Sequence, residues 1–391
     1  MKTVRTGVIG IGNMGTAHAS WISDGLVRGM TLSAVCDTDA ARRDFCRGRF
    51  QNVPCFSDPY ELISSGTVDA VIIAVPHPMH AELASAALKN GLHVLTEKPV
   101  DISVSKAEKL GELARVSNRV FGIMFNQRTD PLFARAREIV RSGGIGELIR
   151  SVWVVTNWYR TGAYYDSGSW RATWKGEGGG VLLNQAPHNL DLWQWICGMP
   201  VKLSAQCDVG RHHNVEVEDD ATLLVRYENG AVGTFITSTG EYPGTNRLEI
   251  SGDRGRLLLE DGRLKYWKLK KSVREVSLES KENSPSISCD YEEFLPETEG
   301  KGHVGILENF AEAVLYGKEL LAPGTDGIYE LMLSNAAYLS SWKNGEWLTL
   351  PIDGDEFDKI LNQRIAASSL RETKIKKSDG TDHSARWKVK W

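Results

Sequence analysis

Short apolar runs alternate with helix-periodic stretches over the first 125 residues. "VRTGVIGIGNMGTAHAS" opens as a β-branched strand, turns at Gly10-Ile11-Gly12 and enters a helix past Gly15. "TLSAVCD" reads as a second strand ending in Asp37. "VDAVIIAV" (68–75) is a near-continuous apolar run, as a parallel strand buried on both faces requires. "PMHAELASAALKNG" has helical periodicity and stops at Gly91; "LHVLTEKP", "SKAEKLGELARVSN" and "RVFGIMFNQR" continue as strand, helix and strand. The alternation predicts a doubly wound parallel sheet, whose ligands lie beyond the carboxyl ends of its strands.

From residue 147 the period changes to that of hairpins. "LLVRYENGAVGTFIT" turns at Asn229-Gly230, and "RLEISGDRGRLLLEDGRLKYWKL" turns at Asp253 and at Asp261-Gly262. "ILENFAEAVLYGK" and "DGIYELMLSNAAYLSSWKNG" are amphipathic helices expected on one sheet face, leaving the other for a homo-oligomer, a dimer or tetramer, to cover. "RETKIKKSDGTDHSARWKVKW" is a charged end, either flexible or anchored on a neighbouring subunit through Trp387 and Trp391. The expected division is 1–125, 126–370 and a tail at 371–391.

Composition narrows the class. A chain of 391 residues exceeds one ordinary core, and 41% hydrophobic with 25% charged residues fits a soluble globular protein. A net charge of −4 gives no electrostatic reason to expect nucleic acid or an anionic membrane. No apolar run approaches the ~20 residues of a bilayer span, and "MKTVRTGVIGIG" enters a strand too early for a signal peptide. Cysteines 36, 46, 55, 197, 207 and 289 lack CxxC spacing and read as reduced thiols of a cytoplasmic protein. Six of the 12 tryptophans fall between residues 151 and 200, which marks that window as a ligand surface.

The first turn has GxGxxG spacing. Gly10 makes the tight turn, Gly12 admits a pyrophosphate and Gly15 lets the helix pack on the strand, with Asn13 and Met14 between the last two glycines. The helix N-terminus offers free N–H groups to the phosphates. Asp37 follows Gly15 by 22 residues, where a carboxylate accepts the adenosine ribose hydroxyls and repels a 2′-phosphate. NAD is therefore expected over NADP, a preference that Arg42 and Arg43 soften. Pro76-His77-Pro78 and Glu97-Lys98-Pro99 lie at strand ends, so Lys98 is expected to face the nicotinamide. His80, Asn126 and Arg128 are expected to reach cofactor or substrate.

"GGGVLLNQAPHNLD" (178–191) precedes the apolar "LWQWICG". A helix after Pro187 places Asn184 just before it and His188 in its first turn, where the dipole keeps the imidazole neutral. Asp191, at i+3, either orients that imidazole or complements the dipole. "NWYRTGAYYDSGSWRATWKGEGGG" (157–180) is long and irregular. Its Trp158, Tyr159, Trp170 and Trp174 can stack on sugar C–H faces, unless Trp170 and Trp174 merely pack the loop onto the sheet; Arg160, Arg171 and Asp166 can hydrogen-bond hydroxyls. "GRHHNVEVEDD" (210–220) lacks an open three-ligand pattern and reads as a polar loop, so no metal is expected.

GxGxxG, Glu97-Lys98-Pro99 and the glycine–histidine motif at 178–191, in this order and spacing, resemble the glucose–fructose oxidoreductase / inositol dehydrogenase / MocA family over nearly the whole chain. The resemblance implies an N-terminal Rossmann domain for NAD(P) and a C-terminal α+β domain with an open, mostly antiparallel sheet that commonly forms the oligomer interface. It implies that Lys98 enters the active site before a proline often preceded by a cis peptide bond, and that Lys98 and His188 are the polar pair at the reacting carbinol. It also implies an aspartate four residues before the histidine, part of a proton relay. Here that residue is Asn184, which cannot exchange a proton at neutral pH.

Hydride transfer from a carbinol needs a base for the hydroxyl proton and a donor for the developing alkoxide. His188 suits the first role and Lys98 the second. The expected function is NAD-dependent oxidation at a secondary hydroxyl of a sugar, glycoside (possibly at pyranoside C3) or polyol. The alternatives are a redox-neutral, NAD-dependent glycoside cleavage by oxidation and elimination, which Asn184 favours, and a non-catalytic NAD(H)-binding sensor.

Overall fold

β1 (Val4–Ile9), β2 (Met30–Cys36), β3 (Cys55–Phe56), β4 (Ala70–Ile73), β5 (His93–Thr96) and β6 (Phe121–Ile123) form one sheet in the order β3-β2-β1-β4-β5-β6. All its pairings are parallel. The structure, a computed structural model, describes residues 2–371; Trp387, Trp391 and all of the expected tail except Arg371 lie outside the described residues. Every residue of β4, "AVII", is buried, because helices cover both faces of a parallel sheet. No described helix is long and apolar enough to cross a membrane.

The second sheet has nine strands: β7 (Leu148–Val155), β8 (Lys202–Val209), β9 (Glu218–Arg226), β10 (Val232–Ser238), β11 (Asn246–Gly252), β12 (Gly255–Glu260), β13 (Arg263–Leu269), β14 (Cys289–Phe294) and β15 (Leu348–Thr349). The hairpins form at the expected turns: β9 pairs antiparallel with β10 around Gly230, and β12 with β13 around Asp261 and Gly262, all three with positive φ. β7 departs from a simple run of hairpins. It lies mid-sheet, parallel to β10 and antiparallel to β11, because one hairpin docks on each of its edges.

The two predicted helices part company. Gly327–Trp342 packs on the second sheet, where its Ser340 and Ser341 hydroxyls accept the Ala205 and Cys207 amides at 2.9 and 3.0 Å. Gly302–Tyr316 instead turns to the first sheet, with Phe310 against Gly122 and Glu308 paired to Arg28 at 2.8 Å. The amide of Ile123 then donates to Ala322 at 3.1 Å. The late segment thus covers edge strand β6, which would otherwise present unpaired backbone. The expected cut at residue 125 does not end the first unit's packing.

Candidate active site

Steric contacts explain the first glycine motif. Gly10 has φ +89°, and a Cβ there would lie 2.5 Å from the Ala74 carbonyl oxygen; one at Gly15 would lie 1.7 Å from that of Gly10. A Cβ at Gly12 would meet nothing within 4 Å, so this glycine faces open space. The helix Asn13–Ser23 begins there, with Asn13 exposed, Met14 half-buried and no side chain capping its first amides. Asp37 is fixed beside the turn, accepting the Ile11 amide at 2.7 Å and the Asp39 amide at 2.8 Å. Open space, uncapped amides and a carboxylate at the end of β2 fit a dinucleotide: pyrophosphate over Gly12, adenosine ribose at Asp37. Arg43 turns away, donating to the backbone oxygens of Asp37 and Thr38.

The end of β5 carries the next cluster. Glu97 is buried and bonds His18 at 2.7 Å. Burial pushes its carboxyl up, but the hydrogen bond and charge of His18, with His303 and Lys98, outweigh this and hold it at about 2. The Lys98–Pro99 bond is cis. Lys98 Nζ crosses to the second domain and donates to the backbone oxygen of Asn184 at 2.7 Å. Burial lowers the Lys98 pKa, with Glu97, Glu330 and Glu177 opposing. Pro76 is exposed. His77 is buried, with Nδ1 3.0 Å from the Glu177 carbonyl. His80 faces inward rather than toward a cofactor; its ring nitrogens meet the carbonyls of Pro99 and Val75 at 2.6 and 2.8 Å and tie two strand ends together.

The three glycines at 178–180 each face a different element. A Cβ would lie 2.3 Å from Ile102 at Gly178, 2.3 Å from the Tyr338 hydroxyl at Gly179 and 1.9 Å from the Glu218 carbonyl oxygen at Gly180. The loop is wedged between both domains, and only glycine fits. Buried Glu218 accepts the Gly180 and Leu182 amides at 2.9 and 3.0 Å, so the short helix Val181–Asn184 has a fixed start. The next helix, Pro187–Cys197, places His188 in its first turn. His188 is 8% exposed, lies edge-on to Phe125, and its Nδ1 has no hydrogen-bond partner. Burial, then the Lys98 charge, lowers its pKa well below the ordinary value, which makes it a neutral base.

Several residues expected at the substrate are engaged elsewhere. Asp191 does not orient His188, because Arg128 grips both its oxygens at 2.9 and 2.6 Å inside the core and also pairs with Asp326 at 2.7 Å. Arg128 is therefore a buried structural link rather than a substrate contact. Trp158 is buried, donating to Asn189 at 3.2 Å. Trp174 is buried edge-on to Tyr338 and Trp342. Both tryptophans bury their area in packing. Asp166 is taken by Arg371 at 2.8 Å. Tyr159 is exposed beside Tyr242, Arg160 lies over Trp158 and Tyr164, and half-buried Arg171 lies over Trp170 and Tyr164. Trp170 is edge-on to His77, which brings the loop to the cofactor side. Asn126 approaches His303 at 3.5 Å. In the 210–220 loop, His213 bridges Asp219 and the Arg160 carbonyl, each at 2.9 Å.

Sequence reasoning passed over His18, His303, Glu330 and Glu177. Glu177 is 2% exposed, accepts the Asn184 side-chain amide and accepts the Ala172 amide at 2.5 Å. Burial raises its pKa to about 7, against Arg171 and Lys98. Its place directly before the three glycines was the available signal.

These features define a two-domain dinucleotide-binding protein with a lysine and a histidine from different domains at one site. Residues 4–125 match the model of the oxidoreductase family with an NAD-binding Rossmann fold, and residues 133–258 match that of the GFO/IDH/MocA C-terminal domain. The chain belongs to the Gfo/Idh/MocA oxidoreductase family, and its first domain is an NAD-binding Rossmann domain. It is 25% identical over 342 residues to a myo-inositol 2-dehydrogenase of Thermotoga maritima, covering 85% of this chain and 95% of that one. It is 26% identical over 349 residues to a scyllo-inositol 2-dehydrogenase (NAD(+)) of Bacillus subtilis, covering 88% and 95%. The fold matches that of the WlbA dehydrogenase from Bordetella pertussis, solved with NADH and UDP-GlcNAcA, at a TM-score of 0.75, 22% identity and coverage of 90% and 100%.

Proposed function

We propose that the protein is an NAD-dependent dehydrogenase of a sugar, glycoside or polyol, acting at a secondary hydroxyl. The observation that carries this reading is the Lys98 ammonium held at Asn184 beside the low-pKa imidazole of His188, at the carboxyl end of β5. His188 takes the hydroxyl proton, and Lys98 stabilises the charge that develops on the oxygen. A nicotinamide dinucleotide, bound along Gly10–Gly15 and Asp37, supplies the hydride acceptor. The Asp37 carboxylate favours NAD over NADP. Met14, Pro76, His77 and Asn126 are retained as cofactor-side residues. Trp170, Arg171, Tyr159 and Arg160 are the loop residues assigned to the substrate, together with Asn184. The inositol dehydrogenases among the relatives support a polyhydroxylated ring as the substrate class.

A redox-neutral glycoside cleavage is the second reading. It is favoured by Asn184, which cannot carry a proton, beside the buried acid Glu177. A panel of inositols, sugars and aryl glycosides incubated with NAD separates the readings. NADH accumulating with oxidised product supports the dehydrogenase; release of aglycone without NADH supports cleavage. NADH binding with no turnover of any compound leaves a sensor.

We also propose a homo-oligomer built on the outer face of the second sheet. There Val152 and Val154 are half-buried while Leu224 and Val232 are exposed, across neighbouring strands. A monomeric mass in solution contradicts this.

A further inference from the structure

Oxidation of a carbinol, R2CHOH, releases one hydride and one proton, and the site must dispose of the proton. His188 receives it but cannot keep it, because its buried ring lies close to the Lys98 charge. Three carboxyl groups act on Lys98: Glu97, Glu330 and Glu177. Glu97 is held ionised by His18 and stays ionised through neutrality. Glu330 is 0% exposed, neither of its oxygens has a hydrogen-bond partner among the described residues, and burial pushes its carboxyl well above the usual carboxylate range. Neither is tied by a hydrogen bond to Asn184, which holds Lys98.

Glu177 differs from both. Asn184 joins it to the reacting pair: the Asn184 backbone oxygen accepts from Lys98 Nζ at 2.7 Å, and its side-chain amide donates to Glu177 Oε1. With the amide N–H turned to Glu177, Asn184 Oδ1 faces the other way, as an acceptor. The second Glu177 oxygen takes the Ala172 amide at 2.5 Å, and its own carbonyl meets His77 at 3.0 Å. The residue is thus held from both domains. Of the charges that face it, Arg171 on its own loop and Lys98 past the end of β5 favour the carboxylate and Glu218 on β9 opposes it, while burial outweighs them.

We propose that Glu177 is the proton-accepting carboxylate behind Lys98, positioned by the Asn184 amide. The proposal rests on the dehydrogenase reading given above. The hydroxyl proton passes to His188. Lys98 takes a proton from His188 as it gives one to Glu177, which releases it to solvent. The electron pair of the broken C–H bond leaves as hydride to the bound nicotinamide, so only a proton crosses this chain of residues. In this role Glu177 is a positioning and relay residue. His188 and Lys98 remain the groups at the reacting atoms.

The test uses full-length protein with NAD and a compound that the wild type oxidises. Wild-type kcat should fall on the acid side with a midpoint near the Glu177 pKa of about 7. In E177Q that limb should disappear, leaving a fall at lower pH set by His188. At pH 8, kcat should drop about 10²-fold, as for loss of a proton-transfer group, with KM and NADH affinity unchanged. N184D placed in the E177Q background returns a carboxylate to the site and should restore the rate to within about tenfold of the wild type. A second readout needs no turnover. The raised Glu177 pKa stabilises the protonated fold, so wild-type Tm should fall more steeply than that of E177Q between pH 5 and 8. An E177Q profile with wild-type midpoint and rate, or parallel melting curves for the two proteins, overturns the assignment. If E177Q does not fold, E177D should shift the limb, and an unshifted limb at full kcat overturns it equally. A wild type that oxidises nothing overturns the dehydrogenase reading instead, and the melting comparison still reads the Glu177 proton.

Discussion

Lys98 Nζ lies 2.7 Å from the backbone oxygen of Asn184, so the amine of one domain is held by the loop of the other. The bond leaves Asn184's side chain free for Glu177 and sets the ammonium beside His188. Both domains are therefore needed to assemble the site, and changes at either end should be felt at the other.

The last two glycines of the first glycine motif should behave differently. G15A places a methyl 1.7 Å from the Gly10 carbonyl oxygen and should unfold the domain, whereas G12A meets no protein atom within 4 Å. G12A should melt within a few degrees of the wild type yet lose about tenfold or more in NADH affinity, because the methyl occupies the pyrophosphate approach. Fluorescence titration with NADH beside a thermal melt checks the pair. G12A that binds normally contradicts the placement.

Asp37 should set cofactor choice. D37S removes the charge that repels a 2′-phosphate and one acceptor for the Ile11 amide. The ratio of kcat/KM for NAD to that for NADP should fall by about tenfold or more, worth about 1.4 kcal/mol or more. An unchanged ratio would place the ribose elsewhere.

Arg128 should matter for stability. R128M strands Asp191 in the core, and removal of one partner of a buried pair costs about 3–5 kcal/mol. Urea unfolding at pH 7 measures this, and a loss below about 1 kcal/mol would mean that Asp191 is not buried as described.

Glu97 should give the protein an acid-sensitive increment of stability. Its folded pKa of about 2 lies below the unfolded value of about 4.3, so its contribution is present above pH 4.3 and is lost as pH falls toward 2. The gap of some two units corresponds to about 3 kcal/mol. The wild type should exceed E97Q by about that margin at pH 7 and converge with it only as pH falls from about 4.3 toward 2. A margin that does not narrow contradicts the ionised, hydrogen-bonded Glu97.

The parallel sheet was legible because its strands are buried on both faces and read as apolar runs, as "AVII" does in β4. The hairpins were legible because Gly230, Asp261 and Gly262 take the positive φ that their turns demand. The central position of β7 was not, since pairing between distant strands leaves no local trace. Asp191 was misread for a similar reason: helical spacing pairs it with His188, but Arg128, 63 positions earlier, reaches it first. Trp158 and Trp174 bury the same area in a core as on a sugar, so an aromatic-rich window cannot tell the two apart. Glu177 stands directly before three glycines, which mark the position but do not show that the loop turns its carboxylate inward.

The central claim is that Lys98 and His188 handle the proton of a hydroxyl group on an NAD-binding scaffold. The most direct measurement is the initial rate of NADH formation with the inositol and sugar panel for the wild type, K98A and H188A, alongside NADH titrations of all three. The account predicts NADH formation by the wild type with at least one compound. It also predicts a loss of about 10²–10⁴-fold in each variant, with NADH still bound by both. Variants that turn over at near wild-type rates would contradict it.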